Sequence, residues 1–206
     1  GESGHYPYYG ATIDNIIAAI EELRPRLESY QLDDPAALWD ELEPELSGNS
    51  FAQCALDMAA SDLWGKLRGQ PLWKLWGLEL GDLPPTDYTI GIDTIDTMVA
   101  KMREFPAWPI YKIKLGTPDD IQIVKELRRH TEAVFRVDAN CAWDVDETIH
   151  NSRALKELGV EFIEQPLDPE NWAGMKQVFA ESALPVIADE SCQKGPDVDR
   201  CCGHFH

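Results

Sequence analysis

Short apolar runs alternate with amphipathic helical stretches through the second half of the chain, and this alternation constrains the fold most strongly. A helical stretch follows each of the first four runs, and no hairpin turn joins one run to the next. Strands connected in this way lie parallel and are joined by right-handed crossovers. The predicted strands cover residues 88–92, 110–115, 134–139, 161–166 and 185–190.

Two α/β architectures are built from such units: a doubly wound sheet and a (β/α) barrel. A doubly wound fold that binds a dinucleotide carries a glycine-rich phosphate loop after a strand. The sequence contains no such loop. The barrel is therefore favoured, and the doubly wound sheet remains the alternative at this point.

The first part of the chain is predicted to be helical. Thr12 is the candidate N-cap of a helix whose apolar residues recur at helical spacing. A second helix begins after Asp34, with Pro35 at its first position. A longer, alanine-rich helix is expected to end near Gly69.

Charge and cysteine usage argue against several classes of function. The net charge is −19 over 206 residues, so a phosphate backbone would be repelled and nucleic-acid binding is not expected. No apolar stretch reaches the roughly 18 residues of a membrane span. The five cysteines are odd in number and irregularly spaced, which indicates a reducing, cytoplasmic setting rather than a disulfide framework.

Charged side chains mark the C-terminal ends of four successive predicted strands. They are Lys112, Lys114, Asp138, Glu164 and Asp189. Catalytic residues of barrel enzymes lie at this rim because the strand ends and the following loops converge there. Side chains alternate across a strand, so the two lysines share one face and their apolar neighbours share the other. We therefore expect both lysines to point into the barrel.

Three carboxylates at one rim would repel one another unless a cation lay among them. Oxygen ligands suit Mg²⁺, which keeps coordination positions open for water or substrate oxygens. A lysine beside a divalent cation and a second lysine has its neutral form favoured, so it can serve as a general base. The pattern therefore predicts metal-assisted removal of a proton.

Four motifs occur in order at these strand ends: Lys112-Ile113-Lys114, Val137-Asp138-Ala139-Asn140, Glu164-Gln165-Pro166 and Ala188-Asp189-Glu190-Ser191. As a set they resemble the muconate-lactonizing subgroup of the enolase superfamily. The stretch at residues 55–77 is similar to the helix that joins the capping domain to the barrel in that subgroup. "YTIGID" at residues 88–93 resembles the first barrel strand of dipeptide epimerases of the L-Ala-D/L-Glu type.

The resemblance implies a barrel of the modified TIM type with part of an N-terminal α+β capping domain. Residues 1–85 would be the C-terminal part of the capping domain with its linking helices. Residues 86–206 would be the first half of the barrel, with five strands. We therefore expect the chain to be part of a longer enzyme and to be inactive without the later strands.

The resemblance also implies an activity: Mg²⁺-dependent epimerisation of a dipeptide through an enediolate. The three carboxylates would bind Mg²⁺. Lys114 would be the base on one face of the substrate carbon, and Lys112 would assist it electrostatically and contact the substrate carboxylate. Asn140, Glu190 and Thr89 would contact the substrate or surround the metal ligands. A lysine beyond residue 206 would serve the opposite face.

Two alternatives remain open on the sequence. A cycloisomerase, or an enzyme like o-succinylbenzoate synthase, would share the metal and the lysines and act on a different substrate. The other alternative is an inactive barrel fragment with a binding or structural role. The sequence also leaves open whether the protein forms a homo-oligomer.

Overall fold

A computed structural model of the chain describes residues 1–79, 81 and 83–206. These residues form two compact units, Gly1–Leu83 and Pro84–His206. The assignment of residues 1–85 and 86–206 to a capping domain and a barrel half stays a prediction. Within the described part of the chain, no helix is both long and apolar enough to cross a membrane.

The first unit is helical, and its helices begin and end at the predicted capping residues. Thr12 and Asn15 form a reciprocal capping box at the first helix. The Asp34 side chain caps the second helix ahead of Pro35, and Gly69 ends the third in the left-handed conformation. After a 3₁₀ turn at Pro7–Tyr9 the helices are α1 (Ile13–Ser29), α2 (Pro35–Leu46), α3 (Ser50–Arg68) and α4 (Leu72–Leu75).

The second unit contains a parallel sheet of five strands in the order β1-β2-β3-β4-β5. Each strand pairs in parallel with the next one along the chain. A doubly wound sheet reverses its strand order at a switch point, so this sequential order confirms the barrel-type prediction. The strands are β1 (Tyr88–Ile90), β2 (Ile110–Lys114), β3 (Val134–Asp138), β4 (Val160–Glu164) and β5 (Val186–Ile187).

Helices follow the strands and bury one face of the sheet. Tyr111 and Ile113 of β2, and Phe135 and Val137 of β3, are each 0% exposed and pack in one core with helix residues. The lysines of β2 alternate with these residues and take the other face, as predicted. The helices are α5 (Ile95–Arg103), α6 (Asp120–Arg128), α7 (Val145–Glu157), α8 (Trp172–Glu181) and α9 (Asp197–Cys201).

The strands are shorter than the apolar runs predicted, so the site residues lie at strand ends or just beyond them. β2, β3 and β4 end at Lys114, Asp138 and Glu164, whereas β5 ends at Ile187, two residues before Asp189. Left-handed backbone just after β3 and β4 turns the chain out of the sheet. The apolar runs continue past these turns in the sequence, and for this reason the predicted strands are longer than the observed ones.

Helix α6 begins at Asp120, and the side chain of this residue organises the loop that leads into the helix. The Asp120 carboxylate is 2% exposed and accepts hydrogen bonds from the backbone N–H groups of Gly116 at 2.9 Å and Thr117 at 2.8 Å. It also accepts from the indole N–H of Trp143 at 2.8 Å. Asp120 therefore folds the loop after β2 back onto the helix and ties it to the loop after β3.

Replacement of Asp120 by alanine is expected to lower the free energy of unfolding by about 2–4 kcal/mol, because the buried indole N–H of Trp143 and the backbone N–H groups of Gly116 and Thr117 lose their acceptor. Urea unfolding of the protein measures this loss. Asp119→Ala is the matched control, because Asp119 is exposed and its side chain does not cap the helix; it should change the value by less than about 0.5 kcal/mol. Equal effects from the two substitutions would contradict the role given to Asp120.

Candidate active site

The sheet register brings the lysines and carboxylates together at one edge. Lys114 at the end of β2 pairs with Asp138 at the end of β3, and Asp138 pairs with Glu164 at the end of β4. Lys112 precedes Lys114 by two residues and lies on the same face. Asp189 reaches the same edge from the loop after β5. The structure thus places all five predicted residues in one cluster.

Asp138 lies at the centre of this charge cluster and is 0% exposed. Its Oδ2 accepts hydrogen bonds from Lys114 Nζ at 2.6 Å and from Lys112 Nζ at 2.9 Å. Its Oδ1 accepts from the backbone N–H of Asn140 at 2.9 Å. Lys112 Nζ also donates to Glu164 Oε1 at 2.6 Å. One carboxylate oxygen is therefore shared by both lysines.

Burial opposes charge on these groups, and the ion pairs decide which way each pKa moves. Burial acts to lower the pKa of Lys112, but its hydrogen bonds to Glu164 and Asp138 outweigh burial and raise that pKa. Burial acts to raise the pKa of Asp138, but the two lysines outweigh it and lower that pKa. Burial prevails at Glu164 and raises its pKa. On acidification, Glu164 therefore takes up a proton before Asp138 does.

Three carboxylates lie close enough to share one ion. One oxygen from each of Asp138, Glu164 and Asp189 lies within 4.8 Å of the other two. All three donors are hard carboxylate oxygens, the ligand type that Mg²⁺ takes, and three protein ligands leave positions for water or substrate oxygens. The donor set therefore fits the metal expected from the sequence.

The three further residues predicted near the substrate lie around the cluster. Asn140 is exposed with a φ of 45°, and its backbone N–H donates to Asp138. Thr89 is exposed and pairs in register with Lys112. Glu190 is half-buried directly after Asp189. Their predicted roles toward substrate stay predictions.

The Cys141 thiol at this edge is held in its neutral form. Burial, followed by the negative charge of Glu190, raises the pKa of Cys141 to about 12. At pH 8 a thiol of that pKa is ionised to roughly one part in 10⁴, and the thiolate is the reactive species. Cys141 is therefore unsuited to act as a nucleophile.

Iodoacetamide at pH 8 should alkylate Cys141 at least about 100-fold more slowly than the exposed Cys54, because so little of the Cys141 thiol is ionised. Peptide mass spectrometry over a time course measures both rates in the same sample. Alkylation of the two cysteines at similar rates would contradict the neutral thiol.

Two protein-family models match the chain, one in each unit. Residues 96–202 match the model described as "Enolase C-terminal domain-like". Residues 1–77 match "Mandelate racemase / muconate lactonizing enzyme, N-terminal domain". The chain belongs to the enolase superfamily. The resemblance of its four strand-end motifs to that superfamily is thereby confirmed.

A curated enolase-superfamily relative aligns with the whole of this chain. The "L-Ala-D/L-amino acid epimerase" of Flavobacterium johnsoniae is 53% identical over 206 residues, which are 100% of this chain and 61% of that protein. The chain therefore spans about three-fifths of the length of this relative.

Solved superfamily structures share the fold. The L-Ala-D/L-Glu epimerase from Bacillus subtilis, solved as a substrate-liganded complex, is 30% identical with a TM-score of 0.83, over 94% of this chain and 56% of that one. An enolase family member from Agrobacterium tumefaciens with homology to dipeptide epimerases is 29% identical with a TM-score of 0.80, over 100% of this chain and 60% of that one. That structure contains sodium and L-Ala-L-Glu.

One residue of the superfamily motifs contacts the charge cluster in a way that the sequence pattern did not indicate. Gln165, in the Glu-Gln-Pro motif, is 0% exposed, and its side chain accepts a hydrogen bond from the backbone N–H of Asp189. Its position between a charged strand end and a proline gave a weak signal, because nothing local shows that the side chain is buried.

Proposed function

We propose that the protein containing this chain is a Mg²⁺-dependent epimerase that inverts an α-carbon of a dipeptide. The observation that carries the proposal is the lysine pair that faces three carboxylates, with Asp138 Oδ2 as the shared acceptor. This arrangement places a lysine that can accept a proton beside a site for a hard cation. A lysine base combined with Mg²⁺ is a general way to stabilise an enediolate, for which the enolase superfamily itself is the standard example.

Lys114 is the proposed base. Its side chain is 28% exposed, so it can reach a substrate while its Nζ contacts the buried Asp138 carboxylate. In its neutral form, Lys114 Nζ would take the α-proton of the C-terminal residue of the dipeptide: the C–H bond breaks, an N–H bond forms and an enediolate results. A second base on the opposite face of the substrate carbon would return a proton and complete the inversion.

Lys112 is the proposed electrostatic partner. Its contacts with Glu164 and Asp138 raise its pKa, which is the opposite of what a neutral base needs and suits a lasting positive charge. Such a charge beside Lys114 would attract the substrate carboxylate toward the proposed base. The two lysines therefore differ in role although they share a face.

Asp138, Glu164 and Asp189 would hold the metal ion. When bound, Mg²⁺ would supply positive charge that stabilises negative charge on the substrate carboxylate oxygens. Because both lysines also use Asp138 Oδ2, Asp138 would link the base to the metal site. Its depressed pKa keeps this carboxylate ionised for that purpose.

The substrate class is proposed from the relatives. The F. johnsoniae protein at 53% identity is named for epimerisation of L-Ala-D/L-amino acids, and the A. tumefaciens structure holds L-Ala-L-Glu. These names favour a dipeptide over the substrate of a cycloisomerase or an enzyme like o-succinylbenzoate synthase. We also propose a cytoplasmic location, supported by free cysteines throughout the described residues.

Proton exchange in deuterated water tests this function directly. The full-length protein is incubated with L-Ala-L-Glu or L-Ala-D-Glu, with Mg²⁺ or with excess EDTA, and the α-hydrogen is followed by NMR. Metal-dependent loss of the α-hydrogen signal together with formation of the other diastereomer is expected. If neither dipeptide nor a panel of hydrophobic dipeptides exchanges, while muconate is consumed, the cycloisomerase alternative replaces the epimerase.

A further inference from the structure

Gln165 is a buried polar residue that adjoins one proposed metal ligand in sequence and contacts the backbone of another. It follows Glu164 at the end of β4, is 0% exposed and has a φ of 34°. Left-handed backbone is uncommon for a residue other than glycine and needs support from its surroundings. Its hydrogen bonds provide that support.

The Gln165 side chain uses both ends of its amide. Oε1 accepts hydrogen bonds from the backbone N–H of Asp189 at 3.0 Å and of Ser191 at 3.1 Å. Nε2 donates to the backbone carbonyl of Leu167 at 3.0 Å and to Ser191 Oγ at 2.9 Å. Four partners satisfy the two lone pairs and the two N–H groups of the amide, which fixes its orientation.

The Gln165 backbone joins the neighbouring strands at the same point. Its N–H donates to the carbonyl of Ile187, the last residue of β5, at 2.9 Å, and its carbonyl accepts from the N–H of Cys141 at 2.8 Å. Main chain and side chain together therefore connect the ends of β3, β4 and β5. Each of these three strands or its following loop carries one proposed metal ligand.

The three ligands differ in how the sheet holds them. Asp138 and Glu164 are the last residues of their strands and are paired with each other in the sheet. Asp189 lies two residues beyond the end of β5, where strand pairing no longer fixes the backbone. The hydrogen bond from its N–H to Gln165 Oε1 ties its backbone to the residue that follows Glu164.

We propose that Gln165 is a positioning residue that sets the place of Asp189 relative to Asp138 and Glu164. This inference rests on the metal site of the proposed function. The acting atom is Oε1, because it accepts from the Asp189 backbone, whereas Nε2 contacts only Leu167 and Ser191. Residues that orient metal ligands typically contribute about 10–100-fold to metal affinity.

Mg²⁺ titration calorimetry on the full-length, chelator-stripped protein tests the role. Gln165→Met keeps the length of the side chain and removes the acceptor, so we expect it to weaken Mg²⁺ binding about 10–100-fold. Ser152→Ala is the matched control, because it also removes a buried side chain that accepts a hydrogen bond. Ser152 is 0% exposed, and its Oγ accepts from the Ala183 N–H at 2.9 Å, away from the charge cluster. The control substitution should leave the Mg²⁺ dissociation constant within about 3-fold.

Gln165→Glu isolates the acceptor atom and serves if the methionine variant does not fold. The new side chain keeps an oxygen for the Asp189 and Ser191 N–H groups, so Mg²⁺ should bind it at least as tightly as wild type. A folded Gln165→Glu variant that binds 10-fold more weakly, or a Gln165→Met variant that matches wild type, would overturn the positioning role alone. Wild-type protein that binds no Mg²⁺ would overturn the metal site and this role with it.

Discussion

Lys114→Ala is expected to slow α-proton exchange by at least about 10²–10⁴-fold for one configuration of the C-terminal residue, the usual contribution of a general base. For the other configuration, exchange with deuterium should continue. The reason is geometric: a base removes only the proton that points toward its own face of the substrate carbon. NMR in deuterated water measures the exchange rate for each configuration, with L-Ala-L-Glu and L-Ala-D-Glu incubated separately with the full-length protein.

Lys125→Ala is a suitable control, because Lys125 is an exposed lysine on α6 and its loss should leave both exchange rates unchanged. The asymmetry between substrates is the decisive outcome. Equal slowing of both diastereomers would indicate that Lys114 has a structural role or binds the substrate. Unchanged exchange of both would show that Lys114 is not the base.

Asp138→Asn should weaken Mg²⁺ binding by more than about 100-fold, since even residues that only orient a ligand cost about 10–100-fold. The substitution keeps the shape of the side chain and removes the charge at the centre of the cluster. It also leaves the ammonium groups of Lys112 and Lys114 facing a neutral amide at Oδ2, where both now donate to a carboxylate. Titration calorimetry with Mg²⁺ and the exchange assay measure the two losses.

Asp144→Asn controls for the loss of a negative charge near the same edge. Asp144 caps α7 by accepting from the backbone N–H of Glu147 at 2.8 Å and is exposed. Asparagine caps helices about as well as aspartate, so stability and Mg²⁺ affinity should change little. If both substitutions weaken Mg²⁺ binding to the same extent, general electrostatics rather than ligation by Asp138 would account for the loss.

The lysine pair illustrates which features of the site could be predicted from local sequence pattern. The alternation of Tyr111 and Ile113 with Lys112 and Lys114 was enough to predict which face is buried, because a strand places successive side chains on opposite sides. The order of helices and strands was enough to predict parallel pairing, and parallel pairing aligns strand ends at one edge. The meeting of Lys114, Asp138 and Glu164 therefore followed from sequence.

The contacts of Asp120 and Gln165 could not be predicted in the same way. Asp120 binds the indole of Trp143, which lies 23 residues away along the chain, and Gln165 binds the N–H of Asp189, which lies 24 residues away. Both contacts join loops, where side chains have no periodic direction and a charged or amide residue looks like ordinary surface. Only the folded arrangement of neighbouring strands brings such loops together.

The parallel strands and the identity of the charged residues at their ends are thus properties of local sequence pattern, since periodicity and the alternation of helices with strands determine them. The exact strand ends, the shared use of Asp138 Oδ2 and the support of Asp189 by Gln165 depend on tertiary contacts. The physical reason is that hydrogen bonds between loops form between residues distant along the chain, and burial then sets how strongly their charges act on one another.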